Sequence, residues 1–133
     1  MSAARVLIVA TGKVGATGAT GSAGAAGAAG DWSTAQTIRA VLTTSDTPTS
    51  SDAGKFVTLS NGSAIAVTIN GSLDLATGQR IDFAQTGAGQ VTFSASGATV
   101  NATPGLKLRT QYSTATLFCL SADTYLLMGD LVA

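Results

Sequence analysis

Histidine and glutamate are both missing from this 133-residue sequence, cysteine occurs once, and charged residues of every kind make up only 11% of the chain. Without imidazole or glutamate, general acid–base chemistry is left to seven scattered Asp residues and two Tyr. That inventory is poor for catalysis, and a non-enzyme is expected. Zinc sites built from imidazoles or several thiolates are excluded, as is an intramolecular disulfide. No cofactor or metal is expected. No Ser can recruit a His, and Cys119 has none to activate it as a nucleophile. Cys119 lies within an apolar run, so it is expected to be a small buried hydrophobe.

Seven basic and seven acidic residues give a formal net charge of zero. Neither sign forms a block, which argues against nucleic-acid binding through phosphate neutralisation. Charged residues fill roughly a quarter of a typical soluble domain. A chain with less than half that share hides surface more comfortably against copies of itself, so a homo-oligomer is expected. Near the N-terminus the apolar run Val6–Ala10 is too short for a secretory core of about 7–15 residues or a membrane span of about 20. It reads as a short β-strand, which predicts synthesis in a cytoplasm without a cleaved export signal and without membrane insertion.

Several small motifs have bland readings. Asn61-Gly-Ser63 and Asn70-Gly-Ser72 match glycosylation acceptors but read as turns, and Asn101-Ala-Thr103 reads as chance. Neither Lys13 nor Lys55 sits in a phosphate-cradling loop. Asp46 and Asp52 flank a hydroxyl-rich loop; they read as solvent-exposed turn residues rather than a calcium site. Lys107 and Arg109 lie two apart on one face of a strand-like stretch. They read as an edge charge pair that discourages strand addition, or as a contact for acidic glycans.

What the sequence has in abundance is regularly placed glycine. Gly12, Gly15, Gly18, Gly21, Gly24, Gly27 and Gly30 keep a strict spacing of three, with none between them. In a collagen triple helix only glycine fits at the axis where three chains meet, so the spacing implies three chains and a rod of roughly 55 Å. The competing reading is a flexible Gly/Ala/Ser linker, because no proline fills the X and Y positions. A proline-free rod of this length needs an adjacent trimeric domain to align its chains. Trp32 marks the junction, as a plug for the rod, a packing residue on the next domain, or a platform for a glycan.

From residue 31 onward the pattern becomes that of an all-β domain. Ile65, Val67 and Ile69, then Ile81 and Phe83, then Val91 and Phe93, alternate with smaller or polar residues, as in half-buried strands. Asn61-Gly62 and Asn70-Gly71 predict tight hairpin turns with positive φ, and Gly87-Ala88-Gly89 another reversal. Ile38, Val41 and Leu42 predict a short helix over 34–42, followed by a loop over 43–52. Leu117–Leu120 and Tyr125–Met128 are continuously apolar around a Ser121-Ala122-Asp123 hairpin turn, which predicts strands covered on both faces, the second cover coming from a neighbouring subunit.

Three stretches carry a family likeness: Gln85-Thr-Gly-Ala-Gly-Gln-Val-Thr-Phe93, Leu108-Arg-Thr-Gln-Tyr-Ser-Thr-Ala-Thr-Leu117 and Thr124-Tyr-Leu-Leu-Met-Gly-Asp-Leu131. In this order, after a Gly-X-Y stalk, residues 54 to 131 resemble the C-terminal β domains of tailed-bacteriophage fibre and minor virion structural proteins. The resemblance implies a homotrimeric virion fibre assembled in the host cytoplasm, attached by its N-terminus to a capsid or tail protein and weakly adhesive toward host surface glycans. Residues 1–11 would be the virion anchor, with Arg5, Val6, Leu7, Ile8 and Val9 adding a strand to a virion protein's sheet edge. Residues 12–30 would be the stalk and 31–133 the knob. The expected fold is mainly β: a short N-terminal anchor strand, a collagen-like triple-helical stalk and an antiparallel β-sandwich-like trimeric knob. Trp32, Lys107 and Arg109 are its candidate binding residues. The alternatives are a dedicated host-glycan receptor module of a tail fibre and, less consistent with one Cys and no export signal, a secreted collagen-stalked trimer. Gly21→Val, at mid-stalk, is expected to abolish rod-like sedimentation while leaving three knobs associated; an unchanged frictional ratio in that variant would contradict the triple helix.

Overall fold

The computed structural model describes residues 34–133, of which Gln36–Ala133 form one compact unit. The expected anchor at residues 1–11, the stalk glycines and Trp32 lie outside the described residues.

The alternating segments do form strands, and each faces its even or odd side chains into one core. The strands are β1 (Ile38–Val41), β2 (Ser45–Asp46), β3 (Phe56–Leu59), β4 (Ile65–Asn70), β5 (Arg80–Gln85), β6 (Val91–Ser96), β7 (Thr99–Ala102), β8 (Lys107–Leu108), β9 (Thr114–Ser121), β10 (Thr124–Gly129) and β11 (Leu131–Val132). They make two sheets. One has six strands in the order β1-β3-β5-β9-β10-β7, the other five in the order β11-β8-β6-β4-β2. Val57, Leu59, Ile65, Val67, Ile69, Ile81, Phe83, Val91 and Phe93 are buried with almost no exposure. The Phe83 and Phe93 rings meet edge-to-face at 5.1 Å, one from each sheet. Such a pair contributes about 0.5–1.5 kcal/mol beyond its burial.

The expected antiparallel sandwich is corrected to a mixed one. Up to β6 the chain changes sheet at every connection, so β1-β2, β3-β4 and β5-β6 are three stacked coils. Ile38 pairs with Phe56 and Phe56 with Asp82 in one sheet, Ser45 with Ala66 and Ala66 with Thr92 in the other, all parallel. Antiparallel pairing enters afterwards, as β9 runs against β5 and β10 against β9, and β8 against β6 and β11. The β9–β10 hairpin forms where the apolar runs predict it, turning through Ala122 and Asp123, the latter at φ 51°.

Because the connections cross between sheets, the two Asn-Gly pairs are not hairpin turns, and neither Gly62 nor Gly71 has a positive φ. Each asparagine instead turns its own backbone: Asn61 Oδ1 accepts the Ser63 N–H at 2.8 Å and Asn70 Oδ1 that of Ser72 at 2.9 Å. The crossovers stack. Ser60 N–H donates to Val41 O and Thr86 N–H to Leu59 O, while Gly89 N–H donates to Asn61 O, so backbone groups that leave the ladders pair with the turn beneath. Stacking at strand spacing leaves no room for side chains: a Cβ on Gly89 would overlap the Ser63 carbonyl, and one on Gly71 would lie 2.6 Å from Gly97 O. Gln85, buried at the end of β5, closes the β5–β6 crossover by accepting the Val91 N–H at 3.1 Å and donating to Gly87 O at 3.2 Å.

The helix expected over 34–42 is also corrected. Its first part is extended and Ile38–Val41 is strand β1, with Val41 buried but Ile38 and Leu42 65% and 68% exposed. Three large apolar residues over nine positions fit either period, and parallel pairing with β3 decides between them. The expected 43–52 loop holds β2 and a 3₁₀ turn at Ser50–Asp52.

Gly89→Ala is expected to lower stability by about 1–3 kcal/mol, since the crossover must shift to admit a methyl group. Gly62→Ala, with open space at its Cβ, should stay within about 0.5 kcal/mol of the parent. Urea midpoints of the two variants check both.

Candidate functional site

Period-two alternation gives every sheet an outer face, and the two faces here differ in chemistry. On the five-stranded sheet the outward positions include Ser45, Ala66, Thr68, Thr92, Ser94 and Lys107, with half-buried Val132 at the β11 edge. On the six-stranded sheet one register row runs Ile38, Phe56, Asp82, Thr116 and Met128, and the next runs Arg80, Phe118, Leu126 and Asn101. Leu120 lies beyond Phe118 on the same face of β9. The expectation that Leu117–Leu120 and Tyr125–Met128 are covered on both faces therefore resolves by side. Leu117, Cys119, Tyr125 and Leu127 point into the core, while Phe118 and Leu126 are half-buried and Leu120 and Met128 are exposed.

The carboxylate in the middle of this apolar face is already engaged. Asp82 Oδ1 accepts from Thr116 Oγ1 at 2.6 Å and Oδ2 from Gln36 Nε2 at 2.8 Å. Beside it opens a shallow groove of about 360 Å³, lined by Ala53, Gly54, Gly78, Gln79, Arg80 and Phe118. Its lining combines one aromatic ring, one guanidinium and one carboxamide with small residues.

The remaining charges tie the fold together. Asp46 and Asp52 do converge, as a cation site would require, but the cation between them is Arg39. Its Nη2 lies 2.7 Å from Asp46 and its Nε 2.7 Å from Asp52. The hydrogen bonds that Arg39 donates to Asp46 first, and to Asp52, push the guanidinium pKa further up. Asp52 is buried rather than a solvent-exposed turn residue, and also accepts the Thr49 N–H at 3.0 Å. Arg39 thus joins β1 to β2, the facing edges of the two sheets. Sequence reasoning missed it because its partners lie 7 and 13 residues away with no motif to link them.

Lys107 and Arg109 are not an edge pair. Strand β8 ends at Leu108 and lies between β6 and β11, with Lys107 opposite Thr92 and Val132. Arg109, just past it, holds Asp130 through two 2.8 Å bonds. The structure does not bring Lys107 and Arg109 together as one binding patch. Cys119 is buried, as expected, with Leu75 O and Ser121 O each 3.3 Å from Sγ as alternative acceptors for its one S–H. Burial pushes its thiol pKa up, away from the reactive thiolate.

Tyr112, which the residue pattern did not single out, is the one exposed aromatic among the described residues. It is 74% exposed at φ 71°, on a loop braced by its own N–H to Gln85 O and by Gln111 Nε2 to Thr86 O at 2.9 Å. A φ in the left-handed region is uncommon outside glycine and was the only signal available, visible in coordinates but not in sequence. Among the described residues no three His, Cys, Asp or Glu side chains come together as a metal site, and no helix is long and apolar enough to cross a membrane. No protein-family model, curated protein or solved structure matches the chain.

Arg39→Met is expected to cost about 3 kcal/mol, at the low end for orphaning a buried charge, because Asp52 loses its main counter-ion and keeps only Lys55 at 3.9 Å. Arg109→Ala, at an exposed and solvent-screened pair, should lower the urea midpoint much less than Arg39→Met does. Hydrogen bonds from Arg109, then Ser113, hold the Asp130 carboxyl below its ordinary 3.8. Its folded value is the lower one, so its contribution is full above the ordinary value and is lost as pH falls through the depressed one. Asp130→Asn should accordingly remove part of the acid-induced loss of stability below about pH 4, read from urea midpoints between pH 2 and 6.

Proposed function

We propose that this chain is a homotrimeric fibre of a tailed-phage particle, with a structural rather than an enzymatic role. The observation that carries the reading is the run of seven glycines at a strict period of three, followed directly by a β-rich domain. Only a three-chain helix requires that period, and a proline-free helix of that length requires a folded domain beside it. In this reading residues 1–11, through Arg5–Val9, add a strand to a capsid or tail protein, residues 12–30 wind as the stalk, and the β-domain is displayed as a trimeric knob. Assembly takes place in the host cytoplasm and the fibre resides on the virion.

Three identical knobs on one stalk present each weak surface contact three times. Linked sites of this kind raise avidity by effective concentration without a strong single contact. A low-charge, hydroxyl-rich surface and a shallow groove suit such weak adhesion to host or environmental surfaces. Tyr112 favours a second reading, in which the knob is a dedicated glycan receptor, because a fixed exposed aromatic ring offers a stacking platform for a sugar.

Gold-conjugated antibody against residues 36–133 is expected to decorate intact particles in electron micrographs, and label confined to the unassembled fraction would contradict the fibre. Tyr112→Ala is expected to leave adherence of the purified protein to host cells nearly unchanged if adhesion is spread over the surface. A loss of about tenfold or more would single out the receptor reading.

A further inference from the structure

We infer that the outer face of the six-stranded sheet is the surface through which three copies of this chain associate, each turned toward a common three-fold axis. The inference rests on the trimeric reading above and adds the contact surface to it. Ile38, Phe56, Phe118, Leu120, Leu126 and Met128 place six large apolar side chains on this one face, with Ile38, Leu120 and Met128 exposed by 65%, 44% and 42%. The outer face of the other sheet has no large apolar residue on β2, β4 or β6, where Ser45, Thr68, Thr92 and Ser94 stand instead. A chain that keeps one face hydroxyl-rich and the other apolar has one face made for water and one for burial.

The carboxylate within the apolar face is arranged for that burial. Asp82 has a hydrogen-bond donor on each carboxylate oxygen from within its own chain, Thr116 and Gln36. Contact between copies therefore does not strand this acceptor, and Arg80, exposed in the adjoining row, is the charge on this face that association must leave in water or pair.

Chain length selects two further copies as the occupant. Gly30 is the last glycine of the triplet repeat and Ile38 opens β1 eight residues later. Eight residues reach at most about 28 Å. On the trimeric reading, three chains joined at Gly30 would keep each Ile38 within that reach of a common axis, and β1 belongs to the six-stranded sheet with Ile38 on its outer face. In the row from Ile38 to Met128, Ile38 and Phe56 occupy one end and Met128 the other, across five strands and roughly 19 Å. A three-fold ring is heterologous: the β1 end of one copy meets the β10 end of the next, and rotation closes the set.

The test uses the full-length chain and absolute mass by light scattering over a hundredfold concentration range, with circular dichroism to follow folding. The parent and Ser94→Arg, on the opposite outer face, are expected to hold three copies. Leu126→Arg combined with Met128→Arg is expected to weaken association at least a hundredfold and give single folded chains. Three copies in that double variant at parental concentrations would overturn the interface while leaving the trimer intact. A single copy for the parent throughout would remove the trimeric reading itself. If the double arginine variant fails to fold, Ile38→Cys with Met128→Cys tests the same contact, since buried Cys119 stays out of reach. Oxidation should then link neighbouring copies covalently into dimers and trimers, and linkage no greater than in the parent would overturn the assignment.

Discussion

Close stacking of the crossovers between sheets is the constraint on which the rest of this fold depends. Each time the chain leaves one sheet for the other it must lie on the previous crossover at strand spacing, about 4.8 Å. Gly71 and Gly89 sit where a side chain would strike the neighbouring backbone, and the freed N–H and carbonyl groups pair from turn to turn. Once the crossovers stack, the parallel registers of β1-β3-β5 and β2-β4-β6 are fixed. Because side chains alternate across a strand, those registers also fix which residues meet in the core and which stand on each outer face. The Phe83–Phe93 contact and the Ile38–Phe56–Asp82 part of the outer row are consequences of the same stacking, and the antiparallel β9–β10 hairpin extends that face with Phe118, Leu126 and Met128.

Local periodicity made the strands legible before their partners were. Ile65–Val67–Ile69, Ile81–Phe83 and Val91–Phe93 alternate cleanly, and β4, β5 and β6 form there. Partner choice was not legible. Asn-Gly is the strongest short-range hairpin signal, yet here each Asn spends its side chain on an Asx turn and the chain crosses to the other sheet. A parallel partner lies a whole coil away: Ile38 meets Phe56 and Phe56 meets Asp82, separations that no local pattern encodes. The candidate face divides in the same way. The doubly apolar runs at 117–120 and 125–128 announce an extra cover, whereas Ile38 and Phe56 join that face only through pairing. Arg39 was hidden for a similar reason, since its two carboxylates arrive on β2 and the following 3₁₀ turn.

Composition, fold and proposed role bear on one another through the shortage of charge. With charged residues at 11% of the chain, some of what there is goes to internal ties: Arg39 with Asp46 and Asp52, Arg109 with Asp130. The five-stranded sheet faces solvent with hydroxyls and the six-stranded sheet presents apolar side chains. A trimer that buries the second and displays the first accounts for the composition and for the glycine period ahead of the domain.

Small-angle X-ray scattering of the intact protein tests that account most directly, because it reports mass and shape from one sample. The account predicts a forward scattering of three times the 13.1 kDa chain mass, with a pair-distance function whose long tail extends roughly 55 Å beyond the globular peak, the span of a triple helix from Gly12 to Gly30. A forward scattering of one chain at every concentration, with the chain's first thirty residues contributing only the diffuse signal of a coil, would contradict it.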